Sequence, residues 1–315
     1  MIELAAIEAA RDRIAGTATR TPLVRLHVED APAEIYLKLE NLQPISSFKI
    51  RGATNAVLLA APGDRAKGLV TASAGNMAQG VAWAARTLGV PATIAVPEHA
   101  PEAKLAAIAR LGGRVLKLPY DEWWNVIVTS HLDGTEGLFV HPVQDPGVMA
   151  GNGTIGLEIL DDLPDPDAVV IPYGGGGLTV GIASAIKARR PATRILTAEP
   201  ETGAALAAAL AAGHPADVDY RASFVDGSGS RRVLDSMWPL VRPLVDEALA
   251  IPVADVAAAV RLMAERARVI AEGAGALAVA AALAGRAGMG KVVCVVSGGN
   301  INLSKLAAIL NGATS

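Results

Sequence analysis

Short runs of valine, isoleucine and leucine alternate with longer alanine-rich stretches along almost the whole chain, and this alternation limits the possible folds more than any other feature. EIYLKLE (34–40), GLVTAS (68–73), PATIAVP (91–97), RVLKLP (114–119), LFVHPV (138–143), DAVVIPYG (167–174), RILTAEP (194–200), AIPV (250–253) and KVVCVVSGG (291–299) each read as strands. Helical stretches separate them: Lys49 to about Ala60, Asn76 to Leu88, PEAKLAAIARLG (101–112), a segment through Trp123 and Trp124, GNGTIGLEILDDL (151–163), LTVGIASAIKARR (178–190) and TGAALAAALAAG (202–213). Two more helices span 254–285 and one lies near 302–311, while MIELAAIEAARDRIAG opens the chain as an amphipathic helix. Strands joined through helices require right-handed crossovers, so the sheets are mainly parallel and covered on both faces. The strands are too many for one open sheet. The spacing therefore predicts an α/β protein of two lobes, each a mainly parallel sheet flanked by helices. Residues 214–246, with DGSGSRR and several prolines, read as loop.

Composition agrees with this and excludes several classes. A chain of 315 residues suits two lobes, and 51% hydrophobic content with only 3% aromatics points to a large aliphatic core. A net charge of -3 leaves no basic surface for nucleic acid. One cysteine, Cys294 in VVCVV, builds no disulfide framework and fits a reducing cytoplasm. The acidic N-terminus is no signal peptide, and the uncharged run between Glu272 and Arg286 is too short to cross a bilayer. The five histidines lack metal-ligand spacing.

Four motifs carry chemistry. In SSFKIRGA (46–53), Lys49 follows Phe48 in apolar surroundings. Burial disfavours the charged ammonium, so Lys49 is either an ordinary helix lysine or an amine able to join an aldehyde as a Schiff base. SAGNMAQG (73–80) leads from a strand into a helix. Free N–H groups there can take a carboxylate, and Asn76 adds an amide for a phenolic oxygen; otherwise it is a plain turn capped by Ser73. PYGGGGLTVGIA (172–183) sets four glycines, Gly174, Gly175, Gly176 and Gly177, before a helix. Their amides can wrap one phosphate, although the spacing is neither that of a triphosphate loop nor that of a dinucleotide turn. VVSGGNIN (295–302) ends a strand at Ser297, placed to bond a heterocyclic nitrogen or simply to begin a glycine turn. Together they describe the edges of pyridoxal 5'-phosphate.

In the order and spacing of these motifs the chain resembles the fold-type II, or tryptophan-synthase-β-like, pyridoxal-phosphate enzymes, and within them the serine/threonine dehydratases and serine racemases. The resemblance implies a large cofactor-binding domain of residues 1–60 and 146–315 with a small domain, 61–145, inserted in it. It implies that Lys49 holds the cofactor with Phe48 packed beside it, Gly174 to Gly177 hold the phosphate, Asn76 the ring hydroxyl and Ser297 the ring nitrogen. Ser73, Ala74, Gly75, Asn76 and Met77 would bind the substrate carboxylate, and Asp226-Gly227 resembles the family's turn near the ring. A homodimer is also implied.

The activity implied is elimination from a β-hydroxy amino acid such as L-threonine or L-serine, giving a 2-oxo acid and ammonia, with Lys49 as the base for the α-proton. Racemases of the subgroup resemble one another in a serine before the GN pair. Here that position is Ala74, so elimination is expected to dominate over racemisation or β-replacement; a non-catalytic phosphate-binding protein is the alternative from another class. Three departures stand out. Met77 replaces the usual histidine, EGAG (272–275) replaces EPxG and blurs any role for Glu272, and Ala205 stands where metal-binding members carry a second acid after Glu199. No metal is expected, and Glu199 reads as a strand-end acid in solvent. Trp123 and Trp124 read as packing in the smaller lobe.

Overall fold

The computed structural model describes residues 1–314. The first segment runs α1 (Leu4–Ile14), β1 (Leu23–Arg25), β2 (Glu34–Leu39), α2 (Lys49–Leu59) and α3 (Pro62–Ala66). Next come β3 (Leu69–Ala72), α4 (Asn76–Leu88), β4 (Ala92–Pro97), α5 (Glu102–Arg110), β5 (Arg114–Leu118), α6 (Tyr120–Thr129) and β6 (Leu138–Phe139). The chain continues through α7 (Pro146–Asp162), β7 (Ala168–Pro172), α8 (Gly177–Arg189), β8 (Arg194–Pro200) and α9 (Ala205–Ala212). It closes with α10 (Trp238–Val241), β9 (Glu247–Ile251), α11 (Val253–Leu262), α12 (Gly273–Leu283), β10 (Lys291–Val296) and α13 (Leu303–Leu310).

Two sheets form. One has six strands in the order β1-β2-β10-β7-β8-β9, parallel except for the antiparallel edge strand β1. The other has four, β5-β4-β3-β6, all parallel. The expected α/β architecture with two mainly parallel sheets is therefore present. The central strands β7 and β10 are buried almost throughout, and Cys294 lies fully buried in β10.

Differences from the sequence reading have local causes. The three-residue β1 and five-residue α3 are too short for a periodic signal. LFVHPV keeps only Leu138–Phe139 as strand; Pro142 has no N–H for a ladder. α7 begins at Pro146, ahead of the expected start, because the Asp145 carboxylate accepts from Gly147 N at 2.7 Å and Val148 N at 3.2 Å and caps it.

Helix crossings bring the motif ends together. A Cβ at Gly151 on α7 would stand 2.5 Å from the Arg51 carbonyl oxygen of α2, so glycine here permits the close approach of the two helices. Beneath that crossing lies a buried charge network. Arg51 Nε donates to Glu40 at 2.8 Å and its Nη1 to Glu158 at 2.6 Å, while Lys38 Nζ donates to Glu158 at 2.6 Å. Two cations thus face two carboxylates, all four almost fully buried.

Candidate active site

Two motifs about 250 residues apart in sequence are zipped together at the amine. Ser47 bridges Gly298, Phe48 N donates to Ser297 O at 3.0 Å, and Gly299 N donates to Ser46 O at 2.9 Å. This antiparallel contact sets Lys49, the first residue of α2, beside the end of β10. Lys49 Nζ donates to the Pro142 carbonyl at 3.1 Å and lies 5.1 Å from the Phe48 ring centroid. Burial lowers its pKa to about 8, partly opposed by the Glu272 carboxylate. An amine with that pKa is neutral in about a tenth of molecules at pH 7, against well under a hundredth for an ordinary lysine.

The glycine loop leaves β7 at Pro172 and enters α8 at Gly177. Gly176 has φ 94°, a conformation that glycine adopts without strain. Val143 presses on the loop: a Cβ on Gly175 would sit 2.5 Å from Val143 Cγ2, and one on Gly177 would sit 2.9 Å from Val143 O. Any side chain would therefore fill the notch. The positive end of α8 points there with its first amides unpaired within the helix.

Lys49, Phe48, Ser73, Ala74, Gly75, Asn76, Met77, Gly174 to Gly177 and Ser297 all line one cavity of about 330 Å³, as do Asp226 and Gly227. The tertiary structure thus gathers every residue singled out from the four motifs. Ser297 is 3% exposed, and its hydroxyl makes no side-chain hydrogen bond to protein among the described residues.

Some neighbours differ from expectation. Met77 is 2% exposed and joins the core of Val57, Val81 and Ile94, so its bulk fills the small sheet's interior although the residue borders the cavity. Ser73 Oγ accepts from Gly75 N at 3.2 Å, and α4 has no side-chain cap. Glu199 is fully buried and not a solvent-facing acid: its carboxylate accepts from Leu206 N and Ala207 N at 3.0 Å each, at the start of α9. Burial raises its pKa to about 7, against those amides. Trp123 packs on Val126 and Leu132, as expected, whereas Trp124 is half exposed.

Glu272 is the residue that sequence reasoning undervalued. It borders the cavity, is 7% exposed, and accepts from Asn76 Nδ2 at 2.8 Å, while Asn300 Nδ2 donates to Asn76 Oδ1 at 2.8 Å. Burial raises the Glu272 pKa to about 7, helped by the charge of Asp226 and opposed by the Asn76 hydrogen bond. EGAG departs from EPxG at Gly273, where a Cβ would stand 2.9 Å from the Phe224 carbonyl oxygen and from Val225 Cα, so the neighbouring loop leaves no room for a side chain. The asparagine in VVSGGNIN was the available signal for this network.

The site can accept an anion at the glycine loop, an aldehyde carbon at a neutral lysine amine and a basic nitrogen at a serine hydroxyl. Comparison with known proteins agrees. The pyridoxal-phosphate dependent enzyme family matches residues 14–298, and the chain belongs to that family. The chain is 41% identical to an L-threonine ammonia-lyase of Thermotoga maritima, over 99% of this chain and 79% of that protein. It is 38% identical to the catabolic L-threonine dehydratase of Escherichia coli K12, over 95% of this chain and 93% of that one. The structure of maize serine racemase superposes with a TM-score of 0.90 at 32% identity, covering 98% of this chain and 97% of that one. The cofactor is pyridoxal 5'-phosphate, and the notch, amine and hydroxyl described above fit it.

Proposed function

We propose that the protein is an ammonia-lyase that removes the hydroxyl and amine of a β-hydroxy amino acid of the threonine and serine class, giving a 2-oxo acid and ammonia. The observation that carries this is Lys49: a lysine amine with pKa about 8 shares one cavity with the glycine notch and Ser297. Relatives of this chain named threonine ammonia-lyase and threonine dehydratase support the same reading.

When bound, pyridoxal phosphate supplies an aldehyde that takes up the substrate amine and a ring that accepts the electron pair left at Cα. Gly174 to Gly177 and the first amides of α8 would hold its phosphate, Ser297 its ring nitrogen and Asn76 its ring hydroxyl. Lys49 would hold it covalently through Nζ, beside Phe48. Asn76 is already oriented by Glu272 and Asn300, so its amide stands in a fixed position. The substrate carboxylate would rest on the turn from Ser73 through Met77, where the first amides of α4 have no helical acceptor.

Displaced by the substrate amine, Lys49 Nζ would take the Cα proton. The Cβ–O bond would then break, and the hydroxyl would leave as water with a proton returned from Lys49 Nζ. The unsaturated amine so formed is hydrolysed by water to the 2-oxo acid and ammonia. Ala74 brings only a methyl group to the cavity wall. With no proton carrier there, elimination prevails over return of a proton to the other face of Cα. We also propose that residues 1–60 and 146–315 form a cofactor domain with 61–145 inserted, and that the protein works as a cytoplasmic homodimer. Among the described residues no helix is long and apolar enough to cross a membrane.

The test is an assay of the yellow holoenzyme with L-threonine and L-serine for 2-oxo acid and for D-amino acid. The expected result is 2-oxo acid as the main product, abolished by Lys49→Ala. Residual turnover in Lys49→Ala, or D-amino acid as the main product, refutes the reading.

A further inference from the structure

A second cavity, of about 830 Å³, opens beside the first. Both are bordered by Trp123, Gly174, Gly175, Asp226 and Gly227, so the two spaces adjoin along Trp123 and the Asp226-Gly227 turn as well as along the glycine loop. Tyr120, Trp123 and Trp124 of α6 form one wall, and Tyr220, Val233 and Leu234 from the long loop before α10 form the other. In a chain with only 3% aromatic residues, two of the four tryptophans and two of the four tyrosines stand around this one space. The α6 rings run in sequence, with centroids 5.7 Å apart from Tyr120 to Trp123 and 6.3 Å apart from Trp123 to Trp124. Tyr120 and Trp124 leave 59% and 46% of their surface exposed. Broad apolar faces left to water beside a reaction site favour a flat apolar guest, which gains both burial and ring contacts.

The charges nearby are mostly answered within the protein. Asp226 pairs with Lys104, and Arg232 pairs with Asp217 and Asp235. Arg231 adds a cation to the rim, which makes an acidic substrate the rival to be tested.

We infer that this cavity receives the group on the substrate's Cβ, and that the preferred substrate is a β-hydroxy amino acid bearing an aromatic ring there, of the 3-phenylserine class. The inference rests on the elimination reading above. The chemistry is unchanged: the Cα–H and Cβ–O bonds break, and after hydrolysis the products are a 3-aryl-2-oxo acid and ammonia. The methyl group of threonine reaches only the mouth of so large a space.

The experiment measures 2-oxo acid formation by the holoenzyme from L-threo-3-phenylserine, L-threonine and 3-hydroxyaspartate. It is paired with a titration of tryptophan emission by L-phenylalanine, which has no β-hydroxyl to lose. We expect kcat/KM for phenylserine to exceed that for threonine by at least about tenfold, and phenylalanine to quench the emission. The phenylserine-to-threonine ratio should fall at least about fivefold in Trp124→Ala and in Tyr120→Ala, both half-exposed positions that the fold tolerates. Threonine or hydroxyaspartate as the best substrate, or a ratio unmoved in both variants, overturns the inference and leaves elimination standing. No 2-oxo acid from any of the three overturns the elimination reading and the substrate assignment with it.

Discussion

Replacing Arg51 by methionine tests the buried network that supports the α2 helix carrying Lys49. Arg51 donates to both carboxylates: to Glu40 at 2.8 and 2.9 Å, and to Glu158 at 2.6 and 2.8 Å. It also reaches Thr154 Oγ1 at 3.0 Å and Thr19 O at 3.1 Å. Methionine of similar length keeps most of the volume, so the loss is electrostatic. Lys38 then remains as the one cation facing Glu40 and Glu158. Removing one partner of a buried ion pair costs about 3–5 kcal/mol, and here two carboxylates lose their guanidinium, so about 4 kcal/mol or more is expected at pH 8. The pH dependence follows from Glu40. Burial pushes its carboxyl up, and the Arg51 charge and hydrogen bond, joined by the Lys38 charge and the Thr21 hydroxyl, more than reverse this, leaving it below the usual range. In the native protein that lowered pKa stabilises at every pH above the unfolded value, and the benefit is lost only as pH falls through the folded value. In the variant, burial is opposed only by the Lys38 charge and the Thr21 hydroxyl, and with the larger Arg51 counterweight gone the folded pKa is expected to rise above the unfolded one. Its penalty is then full at pH 8 and shrinks as pH falls toward the unfolded pKa. Urea unfolding at pH 8 and pH 5, at one fixed saturating cofactor concentration, should show the gap to wild type narrowing by at least about 1 kcal/mol at pH 5. A gap below about 1.5 kcal/mol at pH 8, or one equal at both pH values, refutes the account.

Gly177→Ala should weaken cofactor binding by at least about tenfold with a smaller effect on folding, because the new Cβ would stand 2.9 Å from the Val143 carbonyl in the notch; equilibrium dialysis of the apoenzyme measures it, and unchanged affinity counts against the notch. Ala74→Ser places a hydroxyl on the wall shared with Lys49 and should add measurable D-amino acid product; no gain in a folded, yellow variant counts against that placement. Cofactor capture by the apoenzyme should speed up as pH rises through about 8, since only the neutral Lys49 amine attacks an aldehyde, and then level off. Stopped-flow absorbance follows this; a flat profile, or a midpoint near the unshifted value of 10.5, removes Lys49's depressed basicity from the argument.

The amino-acid sequence by itself determined the elements and the ends that carry chemistry. Strand and helix periods, the four glycines before α8 and the turn before α4 are set by residues adjacent in the chain, so SSFKIRGA, SAGNMAQG, PYGGGGLTVGIA and VVSGGNIN were each legible. Only the tertiary structure decided what surrounds them. Glu199 reads as a solvent acid until α9 folds over it, and Glu272 acquires its place through Asn76, a partner 196 residues away. Met77 sits next to Asn76 in sequence, yet helix geometry turns its side chain into the core. Trp123 and Trp124 look like packing until the loop before α10 stands opposite them and leaves a cavity between. Period and turn chemistry are local, whereas burial and the groups that answer a buried carboxylate depend on how separate elements pack, from the next helix for Glu199 to a partner 196 residues away for Glu272.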